Sequence, residues 1–276
     1  MRTLEGRRVG LLEGRQSDEL GMMVARLGGT PVSAPALREV PSGEDAAPVL
    51  QRIIDGAFQM VVVLTGAGIT ALFREAERLQ VVDAVRERLE RTTLVCRGPK
   101  PLTALKRYGL KAQVMTPKPH TTAELIEALN DVPLDGVAIA LLHYGERHPA
   151  FAEALVARGA RVEDICLYEW AMPADVEPLR AMVRAAIEGS VDALLFTSQI
   201  QFRHLQQIAA GMDLSAGLTD ALNERVIVAA VGPVCAAALR AGGVVPDVLP
   251  ASPNSASLVS ALGDYFDLMT KTQEEN

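Results

Sequence analysis

Short apolar runs alternate along this chain with stretches whose apolar residues recur at helical spacing. Six runs read as strands: 8–12 (RVGLL), 60–64 (MVVVL), 92–96 (TTLVC), 137–142 (VAIALL), 193–197 (ALLFT) and 226–231 (VIVAAV). Each is followed by turn residues and then by an amphipathic segment, the order that builds βαβ units around a parallel sheet. Two helix starts are explicit. Thr121-x-x-Glu124 spells a capping box ahead of Leu125, Ile126 and Leu129. The cluster Ser42 to Asp45 precedes another, with Pro48 just inside.

The pattern also repeats. Residues 95–129 align with 229–262: Gly98 with Gly232, Pro99 with Pro233, and Leu105, Gly109 and Val114 with Leu239, Gly243 and Val248, all at one offset (232 − 98 = 134). A one-residue gap then aligns Leu125 and Leu129 with Leu258 and Leu262. A repeat this long is a duplicated domain rather than a solenoid, whose periods are several-fold shorter. The first unit, near 8–32, resembles the one at 137–162, where Val-Ala-Arg precedes a Gly and a short strand in both. One copy is therefore expected to be split around the other. This predicts a discontinuous α/β domain of residues 1–34 and 173–276, a second of 42–163, and paired linker segments 35–41 and 164–172 acting as a two-stranded tether and hinge. Pro35 and Pro41 suit an edge or ribbon position. A cleft between two such domains is a favoured place for a small-molecule site.

Composition narrows the partners. The chain has 276 residues, room for two domains, with 49% hydrophobic but only 4% aromatic residues. That balance suits buried parallel strands under Ala-rich helices. A net charge of −7 argues against nucleic acid as a bulk electrostatic partner. Cys96, Cys166 and Cys235 form no CxxC pair, so neither a disulfide frame nor a metal site is signalled. Arg2, Glu5, Arg7 and Arg8 interrupt any leader-like apolar run, and Gly232-Pro233 breaks the apolar stretch 226–239. The expectation is a cytoplasmic monomer with no membrane segment.

Taken in order, VGLLEGR (9–15), VVVLTGAGI (61–69), the return strand with Tyr168, DALLFTSQIQ (192–201) and VAAVGPVCAAALRAGGVVPDVLP (228–250) resemble the uroporphyrinogen-III synthase family over nearly the whole chain. The resemblance implies two similar α/β domains, here two doubly wound parallel sheets joined by a two-stranded linker. It implies a lyase of porphyrin and heme biosynthesis acting on hydroxymethylbilane, a carboxylate-rich linear tetrapyrrole. Loss of the substrate hydroxyl, attack by the substituted carbon of ring D, and a spiro intermediate would lead to closure with ring D inverted. No cofactor is implied. Where many members carry Thr after the last Gly-Pro, this chain has Val234 and Cys235.

Candidate site residues follow from where the turns fall. A polyanion needs donors, and the charge balance offers no broad basic face, so helix N-termini are the expected supply. Four strand-to-helix turns qualify: Thr65-Gly66-Ala67-Gly68, Gly98-Pro99-Lys100, Thr197-Ser198-Gln199 and Gly232-Pro233-Val234. Each alone would equally serve as a plain tight turn; four together favour binding at the carboxyl ends of the strands. Arg15, Arg97 and Lys100 follow strands and could reach carboxylates, although solvated loop charges are the commoner fate of such residues. The family pattern favours Arg15.

Strand alternation places Cys166, Tyr168 and Trp170 on one face of the returning linker and Ile165 and Leu167 on the other. The residues alone leave Tyr168 evenly divided between packing and a cleft. The resemblance makes it the catalytic candidate, as donor or general acid to the departing hydroxyl. Tyr144 is a lining candidate, His143 a local hydrogen-bonding group, and His120 and His204 read as surface or helix residues. Thr65-Gly66-x-Gly68 also approaches a dinucleotide fingerprint, but the acidic residue required about 20 residues on is replaced by the helical Val85-Arg86-Glu87-Arg88. The competing function is a two-lobed tetrapyrrole-binding or sensor protein.

Overall fold

The computed structural model describes residues 3–14, 17–43, 45–118, 120–145 and 147–274. In chain order the elements are β1 (Arg8–Leu11), α1 (Ser17–Arg26), β2 (Thr30–Ser33), β3 (Arg38–Pro41), α2 (Ala46–Ile54), β4 (Met60–Val63), α3 (Gly66–Arg78), α4 (Val82–Glu90), β5 (Thr93–Cys96), α5 (Pro99–Arg107), β6 (Val114–Met115), α6 (Thr122–Ala128), β7 (Ala138–Gly145), α7 (Pro149–Val156), β8 (Arg161–Ala171), α8 (Glu177–Glu188), β9 (Ala193–Phe196), α9 (Gln199–Ala210), α10 (Ser215–Glu224), β10 (Ile227–Ala230), α11 (Pro233–Ala241) and α12 (Ser255–Glu274). Two compact units result, Met1–Arg38 with Ala171–Asn276, and Glu39–Trp170.

The first unit holds a four-stranded sheet, β10-β9-β1-β2, with every neighbouring pair parallel. The second holds a six-stranded sheet, β3-β8-β7-β4-β5-β6, parallel from β8 through β6. The four strands β10-β9-β1-β2 correspond in order to β5-β4-β7-β8 of the larger sheet. Val95 pairs with Val114 in one, and Ala229 bridges Val248 in the other, each residue displaced by 134 (229 − 95 and 248 − 114). The register of the sheets thus carries the offset found in the sequence.

Burial on both faces accounts for the strand composition. In β4, Val61 and Val63 join one apolar cluster while Met60 and Val62 join the cluster on the opposite face. In β9, Leu194 and Phe196 divide from Ala193 and Leu195 in the same way. A strand sandwiched between helical layers has no face to leave polar.

The helix starts are chemically specified. Thr121 and Glu124 close the capping box of α6, and the Asp45 carboxylate accepts the Ala47 N–H at 3.0 Å to start α2. Pro99 and Pro233 occupy the first positions of α5 and α11, where a missing N–H costs nothing.

Candidate functional site

Because β10-β9-β1-β2 and β8-β7-β4-β5-β6 each run parallel, the carboxyl ends of these strands and the turns that follow lie along one edge of each unit. In the second unit the β4–α3 turn is held by Thr65, whose hydroxyl accepts the Gly68 N–H at 2.9 Å. The amides of Gly66 and Ala67 are left without an acceptor among the described residues, so the α3 N-terminus presents two donors. Gly66 has a packing duty as well. A Cβ there would sit 2.9 Å from the Lys100 carbonyl oxygen, so the first turns of α3 and α5 approach backbone to backbone.

The Gly98 and Gly232 turns are near copies in backbone, at φ 177°, ψ −167° and φ 177°, ψ −177°. Both are extended, a conformation any residue adopts. Glycine is favoured by what lies above it, since a Cβ would meet His120 at 3.3 Å in one turn and Pro253 at 3.0 Å in the other. The turns differ in their flanks. Arg97 and Lys100 in the second unit stand where the first unit has Val231 and Val234. Arg97 is half-buried, its guanidinium makes no hydrogen bond or ion pair among the described residues, and burial pulls its pKa below the ordinary guanidinium value. Val234 is 53% exposed.

The β9–α9 turn departs from the expected supply of free amides. Buried Gln201 turns its Oε1 back to accept the N–H groups of Thr197 at 2.8 Å and Ser198 at 3.2 Å. Its Nε2 donates to the Thr197 hydroxyl at 2.9 Å, and that hydroxyl donates to Glu13. Two of the amides expected to face a ligand are therefore satisfied internally. The signal was present: Ser198-x-x-Gln201 has the capping-box spacing. Glu13 carries no local signal, standing 184 residues from Thr197.

Tyr168 lies where alternation does not put it. His143 opposes Cys166, yet Gly145 opposes Glu169, so Leu167 and Tyr168 together face the single residue between them on β7. This β-bulge re-aims the side chains that follow it. Tyr168 consequently packs with Ile165 and Leu167 against the cluster that includes α3, on the face opposite to the one alternation assigns. Its hydroxyl donates to Glu75 Oε1 at 2.7 Å, and the Arg74 guanidinium carbon lies 5.4 Å from its ring centre. Burial, then the Glu75 carboxylate, pushes the phenol above its ordinary pKa of 10.0. Glu75 is held below 4.5, first by its hydrogen bond from Arg78 and then by the one from Tyr168. Neither Glu75 nor Arg74 was legible as a partner, since 93 positions separate Glu75 from Tyr168.

The β7 end is built around Gly145, whose φ of +81° and contact with the Trp170 indole exclude any side chain. His143 Nε2 meets Asp164 Oδ1 at 2.5 Å, a local bond as expected. His204 is a helix residue, on α9, and is buried there with its Nδ1 bonded to the Ala36 carbonyl at 2.6 Å. Arg15 and the side chain of Tyr144 lie outside the described residues. Among the described residues no group of three His, Cys, Asp or Glu could hold a metal ion, and no helix is long and apolar enough to cross a membrane.

The fold and these turns define a two-unit parallel α/β protein whose polar groups gather at strand-to-helix turns, where open parallel sheets bind small molecules. Residues 18–260 match the family described as uroporphyrinogen-III synthase HemD, and the chain belongs to that family. The chain is 29% identical over 265 residues to the uncharacterized protein YjjA of Bacillus subtilis strain 168, covering 96% of this chain and 97% of that one. It superimposes on a mutant uroporphyrinogen III synthase of Thermus thermophilus with a TM-score of 0.76 and 26% identity, over 96% of this chain and 100% of that one. A uroporphyrinogen-III synthetase from Helicobacter pylori 26695, at 13% identity and TM-score 0.55 over 95% and 99% of the two chains, shares the fold alone.

Proposed function

We propose that this chain is a uroporphyrinogen-III synthase that converts hydroxymethylbilane into the macrocycle with ring D inverted. The family match over residues 18–260 carries the reading, and the likeness to the Thermus enzyme over nearly the full length of both chains supports it. In the reaction the hydroxymethyl group on ring A, at the opposite end of the chain from ring D, loses its hydroxyl, which leaves as water with one added proton, and the ring A pyrrole nitrogen lone pair stabilises the resulting cation. The substituted carbon of ring D attacks to form the spiro intermediate. That opens, recloses at the other ring D position, and releases a proton.

Strand-end turns would supply the substrate contacts: Thr65, Gly66, Gly68, Gly98, Lys100 and Arg97 in one unit, and Thr197, Ser198, Gln199, Gly232, Pro233 and Val234 in the other, with Arg15 and Tyr144 as further contacts. The proposed role of Tyr168 is narrowed by its surroundings. A phenol whose pKa lies above 10.0 is a poor proton reservoir but remains a hydrogen-bond donor at every working pH. Its partner Glu75, held ionised, has no proton to relay. Tyr168 would therefore turn its O–H from Glu75 to the departing hydroxyl and assist as a donor.

The test is incubation with enzymatically generated hydroxymethylbilane, oxidation, and separation of the porphyrin isomers. Type III product above the spontaneous type I background is expected. Tight binding of the tetrapyrrole with type I product alone would leave a binding protein instead.

A further inference from the structure

The duplication offers an internal comparison, because the Gly98 and Gly232 turns share backbone geometry, hydrogen bonding and a covering residue. The Arg97 N–H donates to the Val63 carbonyl at 3.2 Å as the Val231 N–H donates to Phe196 at 2.9 Å. His120 covers Gly98 as Pro253 covers Gly232, and each stands one residue before the cap of the next helix, Thr121 or Asn254. Where the scaffold is the same, differences in side chain need another reason. Three positions around the turn change character together: Arg97, Lys100 and His120 in one unit are Val231, Val234 and Pro253 in the other.

Two features of the basic turn are costly for folding alone. Desolvating a guanidinium without a counter-charge is unfavourable, and an apolar residue at such a place is often as good or better for stability. Val231 shows that this backbone accepts an apolar residue, and it packs against its own core. His120 adopts φ +63°, a left-handed conformation that strains a residue with a Cβ. Its Nδ1 is bonded to the Thr116 carbonyl at 2.8 Å, which orients the ring over Gly98. The acid of this loop, Glu124, is taken by the amide and hydroxyl of Thr121.

We infer that Arg97, Lys100 and His120 form a carboxylate-binding corner at the Gly98–Pro99 turn, with Arg97 as its anchor, and that the Gly232–Pro233 turn is its apolar counterpart. The ligand class is an organic polycarboxylate. Its assignment as a tetrapyrrole propionate or acetate rests on the function proposed above, whereas the anion-binding corner itself does not. The Val234 position, where the resemblance leads one to expect a hydroxyl, then offers 53% exposed apolar surface to a pyrrole ring rather than a donor to a carboxylate.

The experiment uses the full chain and uroporphyrin III as probe, followed by its absorbance, beside thermal unfolding without ligand. Arg97→Met should weaken porphyrin binding by ~10–100-fold, as expected for one charge-assisted bond, while leaving the Tm of the free protein unchanged or raised. Arg97→Lys should recover part of the affinity, and Lys106→Met, which removes an exposed charge elsewhere on α5, should change neither readout. Unchanged porphyrin affinity in Arg97→Met overturns the inference. So does a Tm lowered by several degrees, which would make the guanidinium a structural group. Inorganic phosphate is the second probe: if it raises the wild-type Tm as much as uroporphyrin III does, and Arg97→Met abolishes both effects, the corner is a general anion site and the tetrapyrrole assignment falls. Failure of the wild type to produce the type III isomer would sink the proposed reaction without altering any of these titrations.

Discussion

The hydroxyl of Tyr168 donates to Glu75 Oε1 at 2.7 Å, joining the bulged strand β8 to helix α3. Glu75 in turn accepts from Arg78 Nε at 2.7 Å, and the Tyr168 ring lies beside Arg74, which is paired with Glu39 at 3.3 Å. The candidate catalytic phenol is thus part of a charged network inside one unit. Its O–H has a resting acceptor from which it must turn to reach a substrate.

Tyr168→Phe removes a hydrogen bond to a charged acceptor and should lower stability by about 1.5 kcal/mol, because Glu75 keeps its Arg78 partner. Turnover of hydroxymethylbilane should fall by about 10²-fold, the low end of general acid assistance, since lone-pair push from the pyrrole does much of the work. The type III isomer should remain the product. Unchanged turnover in stopped-assay isomer analysis would reduce Tyr168 to a packing residue, and fast formation of type I alone would make it a template for substrate folding.

Acid should expose the Glu75 network. Its folded pKa lies below the ordinary 4.5, so its contribution is complete above that value and is lost as pH falls through the folded one. Wild type and Glu75→Gln should therefore differ in urea midpoint at about pH 7 and converge toward about pH 3. A gap that stays constant across that range would show that the carboxylate is not held by its partners.

Gly66→Ala tests packing rather than ligand contact. The new methyl must displace the Lys100 carbonyl, 2.9 Å from its ideal position, and forced separation of close-packed elements costs about 1–3 kcal/mol. Thermal unfolding without ligand should show the loss. A variant as stable as wild type, yet poor in porphyrin binding, would return Gly66 to a role in contacting substrate.

The thiols should be inert in the folded protein. Cys96, Cys166 and Cys235 are buried and stand outside any disulfide, and burial pushes Cys96 and Cys235 up to about 12. A thiol-reactive chromophore at about pH 8 should find almost no thiolate and should react with three groups only after denaturation. Rapid labelling of the native chain would contradict the burial described for β5 and α11.

What the sequence determined by itself is what short range can encode. Met60–Val63, Ala193–Phe196 and Ile227–Ala230 are strands because residues covered on both faces must all be apolar, which leaves an unbroken run. The α6 start is legible because Thr121 and Glu124 satisfy each other within one turn. The duplication is legible because two copies of one turn keep their Gly-Pro at one spacing, and the sheets carry the same offset in their register. The tertiary structure decided the rest. One extra residue in β8 reverses the face of Tyr168, and no periodicity announces a bulge. The partners Glu75 and Glu13 come from 93 and 184 positions away, and the solvation of Arg97 is set by neighbours that fold against it. Hydrogen bonds and burial between distant segments depend on register and packing, which leave no pattern in the residues nearby.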